Sequence, residues 1–276
     1  MSEVVAVLGL GEAGSRYASD LLAEGVAVVG YDPAFRAWPP AAARRGDPRS
    51  ADDRRSAEEP APLLAASPED AARGADVVLS LNSSNVAEQV ARDAKPGLRE
   101  GTVFADLNTA SPEAKRRIAH ALDGTGALFT DVAVLAPVPR AGLKTPLTLS
   151  GPGRGRLARF LEQFGVPVED AGPEPGAAAG RKLLRSVFMK GLAAVVLESL
   201  DIAAHTGLEE WMRRQIVAEL TAADEALVTR LVEGTRKHAA RRLDEMRAAA
   251  EFAAELGATG HVVGAVITRL EELAAE

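Results

Sequence analysis

The chain has 276 residues, 47% of them hydrophobic, which is enough for one large core or two smaller ones. Lys and Arg total 32 against 39 Asp and Glu, a formal net charge of -7, which argues against a general nucleic-acid binder with its basic face. There is no cysteine, and this excludes a disulfide framework, a thiolate metal site and a cysteine nucleophile.

The first residues, MSEVVAVLGLG, lack the basic start and long apolar core of a signal peptide, and no apolar run is long enough to span a membrane. The expectation is a cytoplasmic protein without membrane contact. Up to about residue 150, short β-branched runs alternate with Ala-rich stretches of helical spacing. VVAVLGL (4–10), VAVVGYD (26–32), ADVVLSLN (75–82), TVFADLN (102–108), ALFTDVAV (127–134) and PLTLSG (146–151) read as buried strands. Alternation of this kind predicts an α/β fold with a doubly wound, mainly parallel sheet. Residues 36–66 interrupt the rhythm with Pro, Arg, Asp and Glu. They read as a solvated excursion, or else as a lid at the cofactor edge, since they follow the second strand. GPEPG (172–176) is a punctuator, and four helical segments follow, at roughly 176–205, 208–230, 233–256 and 259–275. Two domains are expected, an α/β unit over 1–173 and an all-α unit over 174–276.

The first strand runs into Gly9, Leu10, Gly11, Glu12, Ala13 and Gly14, a G-x-G-x-x-G spacing that opens an amphipathic helix. The first glycine permits a tight turn, the second lets backbone approach a pyrophosphate, and the third lets helix and strand pack closely; the helix N-terminus supplies donors and partial positive charge. The second strand ends at Asp32, 21 residues after Gly11. A carboxylate there accepts hydrogen bonds from both adenosine ribose hydroxyls and repels a 2′-phosphate, so NAD is favoured as cofactor. Arg36, four residues on, suits a 2′-phosphate and keeps NADP open.

With these features the chain resembles the β-hydroxyacid dehydrogenase family, relatives of 6-phosphogluconate and 3-hydroxyisobutyrate dehydrogenases. GLGEAG matches the family's GLGxMG loop with Ala13 for Met. ADVVLSLNSS (75–84) matches the strand and loop along the nicotinamide ribose, which implies cofactor roles for Asn82 and Ser83. FADLNTASP (104–112) matches D-x-S-T-x-x-P, with Asn108 in place of Ser, which implies a cofactor role for Asn108 and a substrate role for Thr109. DVAV (131–134) begins like the substrate motif D-A-P-V-S-G-G, which brings in Val134, but LAPVPRAGLK (135–144) then replaces the glycine cradle with Pro137, Pro139, Arg140 and Lys144. The resemblance implies a Rossmann-type domain followed by a helical substrate and dimerisation domain, here of a less-characterised, divergent branch.

The family's catalytic Lys matches Lys182, and Ser186 stands where its supporting Asn is expected. Spacing of four residues places Lys182, Ser186 and Lys190 along one stripe of a helix with Arg185 beside it, while Leu183, Leu184, Val187 and Phe188 take the other side. An ordinary lysine has a pKa of about 10.4, and burial with neighbouring positive charge lowers it toward the range of a useful base. Lys237, His238 and Arg241, in KHAARRLDEM (237–246), read as one late helix able to meet an anion. The four histidines show no metal-ligand spacing, so no metal is expected.

The reading is an NAD(P)-dependent oxidoreductase acting on a small anionic β-hydroxy acid, with Lys182 as general acid and base. The alternatives are an imine reductase on the same scaffold, a branch that generally lacks this Lys, and a non-catalytic dinucleotide-sensing protein. A homodimer is expected through the helical domain, whose stripe of Ala249, Phe252, Ala253 and Leu256 needs burial.

Overall fold

The computed structural model describes residues 3–35 and 61–276; Arg36 and most of the 36–66 excursion lie outside the described residues. The described chain forms two compact units, Met1–Leu184 and Arg185–Glu276.

The first unit is built on one sheet. Its strands are β1 (Val4–Leu8), β2 (Ala27–Tyr31), β3 (Leu63–Leu64), β4 (Val77–Ser80), β5 (Val103–Asp106), β6 (Leu128–Val134), β7 (Leu147–Ser150) and β8 (Val168–Asp170). Their order across the sheet is β3-β2-β1-β4-β5-β6-β7-β8. All neighbours are parallel except β6 and β7. The first six strands follow the Rossmann order, so the fold is the doubly wound α/β type. Strand side chains alternate in direction, and both directions are apolar. Val5 and Val7 join one buried layer with Tyr17 and Leu21 of α1 (Glu12–Ala23) and Leu157 and Phe160 of α6 (Arg154–Glu162). Ala6 and Leu8 join the opposite layer with Ala71 of α2 (Pro68–Ala72), Ala91 of α3 (Ala87–Ala94) and Ile118 of α4 (Pro112–Ala121). Burial on both faces is why these strands read as continuous β-branched runs.

Two strands were not legible in the sequence. β3 has only two residues inside the polar excursion, and β8 has three, two of them acidic. Neither is long enough to set up a period.

Between β6 and β7 lies α5 (Val138–Ala141), followed by a turn of 3₁₀ helix over Gly142–Lys144. Asp20 of α1 accepts a hydrogen bond from Leu143 N at 2.7 Å and pairs with Arg16 at 2.9 Å. Gly142 has φ of +56°, and a Cβ there would lie 2.0 Å from Asp20 Oδ2. The loop between β6 and β7 is thus docked on α1, with Arg140 and Lys144 exposed.

Helix α7 (Ala177–Ala204) begins against this sheet; the remaining helices are α8 (Glu209–Thr221), α9 (Glu225–Lys237), α10 (Ala239–Glu255) and α11 (His261–Ala275). The segment expected as helix over 208–230 is broken, because Asp224 accepts a hydrogen bond from Leu227 N at 2.9 Å and starts a new helix. The expected helix over 233–256 is broken at His238, which lies outside helical geometry. Glu198 accepts from Val262 N and Val263 N, both at 2.8 Å, and caps α11. Burial works to raise the Glu198 pKa, but these hydrogen bonds outweigh it and hold the carboxyl below its usual range. The buried apolar side chains of this unit, among the described residues, are only Ala239, Leu243, Ala253 and Leu270. Trp211, Val228, Leu231 and Phe252 are each half-exposed or more.

Candidate functional site

The carboxyl end of β1 carries the glycine loop. Gly9 has φ of +100°, and a Cβ on it would lie 2.3 Å from Leu81 O, so the close approach of the segments that follow the adjacent strands β1 and β4 leaves no room for any other residue. A Cβ on Gly14 would lie 1.8 Å from Gly9 O, which keeps α1 tight against its strand. At Gly11 a Cβ would meet nothing within 4 Å. Gly11 is the N-cap of α1 and offers the helix no side-chain hydrogen bond. Asp32 stands at the end of β2, where its Oδ2 accepts from Leu10 N and its Oδ1 from Ala34 N, both at 2.8 Å. It therefore fixes the loop, a role that the sequence did not show.

The ends of β4 and β5 bring the two asparagines together. Asn82 Nδ2 donates to Ser80 Oγ at 2.9 Å, and Asn108 Nδ2 donates to Asn82 Oδ1 at 3.2 Å. Asn108 is 5% exposed, and its Oδ1 is buried with no hydrogen-bond partner among the described residues. Ser83 is exposed and donates to Asn85.

Beneath these residues lies a charged cluster that sequence reasoning missed. Lys115 of α4 is 1% exposed, and its Nζ lies 2.7 Å from Asp106 Oδ2 and 3.1 Å from Asp131 Oδ1, both carboxylates fully buried. Asp131 Oδ2 accepts from Ala179 N at 2.8 Å, and Ser150 Oγ accepts from Ala178 N at 3.0 Å. Both donors belong to the first turn of α7. Three residues on, Lys182 Nζ donates to Thr109 Oγ1 at 2.9 Å. Thr109 is exposed and Lys182 half-buried, so the pair sits at the surface of the first unit, next to the buried Asn108. Val134, at the end of β6, is half-buried against the core.

The candidates of the second unit are described by themselves. Ser186 is half-buried and Arg185 and Lys190 are exposed. Val187 and Phe188 are 75% and 66% exposed, and Leu184, the last residue of the first unit, is 73% exposed. Lys237, His238 and Arg241 do not share one helix. Lys237 ends α9, His238 is the junction, and Arg241 lies in α10, paired with Glu245. Among the described residues no group of three or more His, Asp or Glu is placed to hold a metal ion, and no helix is long and apolar enough to cross a membrane.

Residues 4–151, more than half of the chain, match the family model described as the NAD binding domain of 6-phosphogluconate dehydrogenase. The chain belongs to that family. Residues 203–273 match a domain of unknown function, DUF1932, which agrees with a divergent helical part. An uncharacterized 28.5 kDa protein of Methanothermus fervidus is 34% identical over 139 residues, 50% of this chain and 52% of that protein. The chain thus spans about half the length of the curated relative it matches. The conserved protein MTH1747, of unknown function and described as structurally similar to 3-hydroxyacid dehydrogenases, is 27% identical, with 98% of this chain and 96% of that one covered and a TM-score of 0.62. A variant imine reductase from Myxococcus stipitatus, in complex with NAD+, has a TM-score of 0.77 at 17% identity over 100% of this chain and 94% of that one, a likeness of fold.

For a member of the 6-phosphogluconate dehydrogenase NAD-binding family the site fits a dinucleotide. Gly9 and Gly14 are required by packing, whereas the space at Gly11 is open and lies at the uncapped start of α1. A pyrophosphate needs such an opening beside backbone donors, outside the carboxyl end of the strand where the strand order reverses. The family thus establishes an NAD(P)-binding domain.

Proposed function

We propose that the protein is an NAD(P)-dependent oxidoreductase acting on a small anionic hydroxy acid, with Lys182 as the proton-transfer group. The observation that carries the reading is the Lys182–Thr109 hydrogen bond at 2.9 Å, set beside the buried Asn108 on the same edge of the sheet as the glycine loop. Nicotinamide, when bound, supplies the carbon that accepts or returns a hydride. Neutral Lys182 takes the proton of the substrate hydroxyl, and protonated Lys182 returns it in the other direction. Thr109 Oγ1 holds the amine in place, and the unpartnered Asn108 Oδ1 is an acceptor for a donor of the cofactor or substrate. Gly11 and the first turn of α1 hold the phosphates, and Asp32 holds the adenosine ribose. The exposed cations Arg185 and Lys190 are our candidates for the substrate's anionic group.

Asp32 favours NAD. Fluorescence titration of wild type is expected to show tighter binding of NADH than of NADPH. Asp32→Ala is expected to weaken NADH binding by roughly tenfold or more, the worth of a hydrogen bond to a charged group, and to erase the preference. Tighter NADPH binding by wild type would overturn the cofactor assignment, and no binding of either would sink the oxidoreductase reading.

A second reading, reduction of imines, draws on the fold shared with imine reductases; turnover of an imine panel without turnover of hydroxy acids would select it. We also propose a homodimer formed through the helical unit, because Val187, Phe188, Trp211 and Phe252 are exposed on the single chain. Light scattering at micromolar concentration is expected to give twice the chain mass, and a monomer would refute the dimer.

A further inference from the structure

Four buried polar side chains stand in register across the sheet. Ser80 pairs with Asp106, Asp106 with Asp131, and Asp131 with Ser150, so the row crosses β4, β5, β6 and β7 on one face. Each is 0% exposed. Lys115 reaches down from α4 into the middle of the row, one turn before Ile118 of the same buried helix face. An apolar side chain would fill that place on α4 without the desolvation that a buried ammonium and two carboxylates incur. The charge therefore calls for an explanation other than core filling.

The geometry points to Lys115, with Asp106, Asp131 and Ser150, as a positioning network for Lys182. This rests on the reading of Lys182 as the proton-transfer group. The network acts on both ends of the Lys182–Thr109 hydrogen bond. On one side, Lys115 holds Asp106 through Oδ2 at 2.7 Å and through its backbone O at 2.8 Å. Asp106 Oδ1 in turn accepts from Asn108 Nδ2, which orients the residue preceding Thr109. On the other side, Lys115 stands 3.1 Å from Asp131 Oδ1, while Asp131 Oδ2 and Ser150 Oγ take the N–H groups of Ala179 and Ala178. A carboxylate at a helix N-terminus meets both free donors and the positive end of the helix dipole. Lys182 follows Ala179 by less than one helical turn, so its place on the sheet edge is set by that anchor. One formal positive charge and two formal negative ones, closed by the start of α7, thus tie the amine and its acceptor to a common centre.

The test reads Lys182 directly and needs neither dinucleotide nor substrate. The full-length protein is acetylated with trace acetic anhydride across a pH series, and the rate at Lys182 is followed by peptide mass spectrometry, with exposed Lys144 as internal reference. Thr109→Val, which removes the acceptor itself, is expected to change the Lys182 rate by roughly threefold or more, as for directly contacting groups. Ser150→Ala and Lys115→Met are expected to change it in the same direction. In the Ser150→Ala/Thr109→Val double variant the two changes are expected not to add. Lys182 rates at the wild-type level in folded Ser150→Ala and Lys115→Met, against a changed rate in Thr109→Val, would overturn the proposal. If Lys115→Met does not fold, Ser150→Ala decides alone, since it removes one hydroxyl and leaves the ion pairs. A network effect on Lys182 in a protein that binds no dinucleotide would uphold the positioning and remove the oxidoreductase reading, so the two failures are distinct.

Discussion

Lys182→Ala is expected to lower turnover of a hydroxy-acid substrate by roughly 10²–10⁴-fold, the range of general acid–base catalysis, while NADH affinity stays close to wild type. The separation follows from where the groups stand. The dinucleotide loop is shaped by Gly9, Gly14 and the Asp32–Leu10 hydrogen bond. The amine donates to Thr109, which follows β5, whereas the loop follows β1. Steady-state kinetics beside fluorescence titration checks both halves of the statement. Turnover kept within an order of magnitude would show that the proton leaves by another route. A parallel loss of NADH binding would show that the substitution had disturbed the sheet edge itself.

Lys115→Met is expected to reduce the unfolding free energy by about 3–5 kcal/mol, the loss seen when one partner of a buried ion pair is removed. Met fills most of the volume of Lys, so the effect isolates the charge. Asp106 and Asp131 would remain 0% exposed with no ammonium between them. Urea denaturation followed by circular dichroism measures the change. A loss below about 1 kcal/mol, the level of a surface pair, would mean that water or a rearranged side chain replaces Lys115 at little cost.

The glycine loop, Asp32 and most strands of the first unit were legible because each depends on local features, a spacing of glycines or a run of β-branched residues ended by a polar one. The charged row was not. Ser80, Asp106 and Ser150 each end an apolar run and Asp131 interrupts one, and only the strand register puts them side by side. Lys115 sits among charged residues in PEAKRR, and its place on the buried face of α4 with Ile118 shows only in the structure. In the second unit the period continues across breaks that single side chains make. Asp224 restarts a helix inside what looked like one segment, and His238 divides the basic cluster between two helices. The hydrogen bond of Lys182 to Thr109 joins residues 73 positions apart, and neither a local pattern nor the family resemblance paired the two.

The two margins of the sheet have a bearing on how copies of this chain can meet. β3 offers two residues and β8 three, and Glu169 and Asp170 of β8 are exposed and engaged by Arg181 and Arg154. The Gly172 N–H, in the first place, holds the Asp170 carboxyl below its usual pKa against the opposing effect of burial, and Arg154 adds to it. That carboxylate therefore keeps its charge into mildly acidic solution. Strand-to-strand addition, the route to fibres and swapped sheets, finds little exposed ladder there and meets a charged guard on one side. The proposed homodimer is therefore expected to use helical surfaces, where association is saturable and can close, and not the sheet margins.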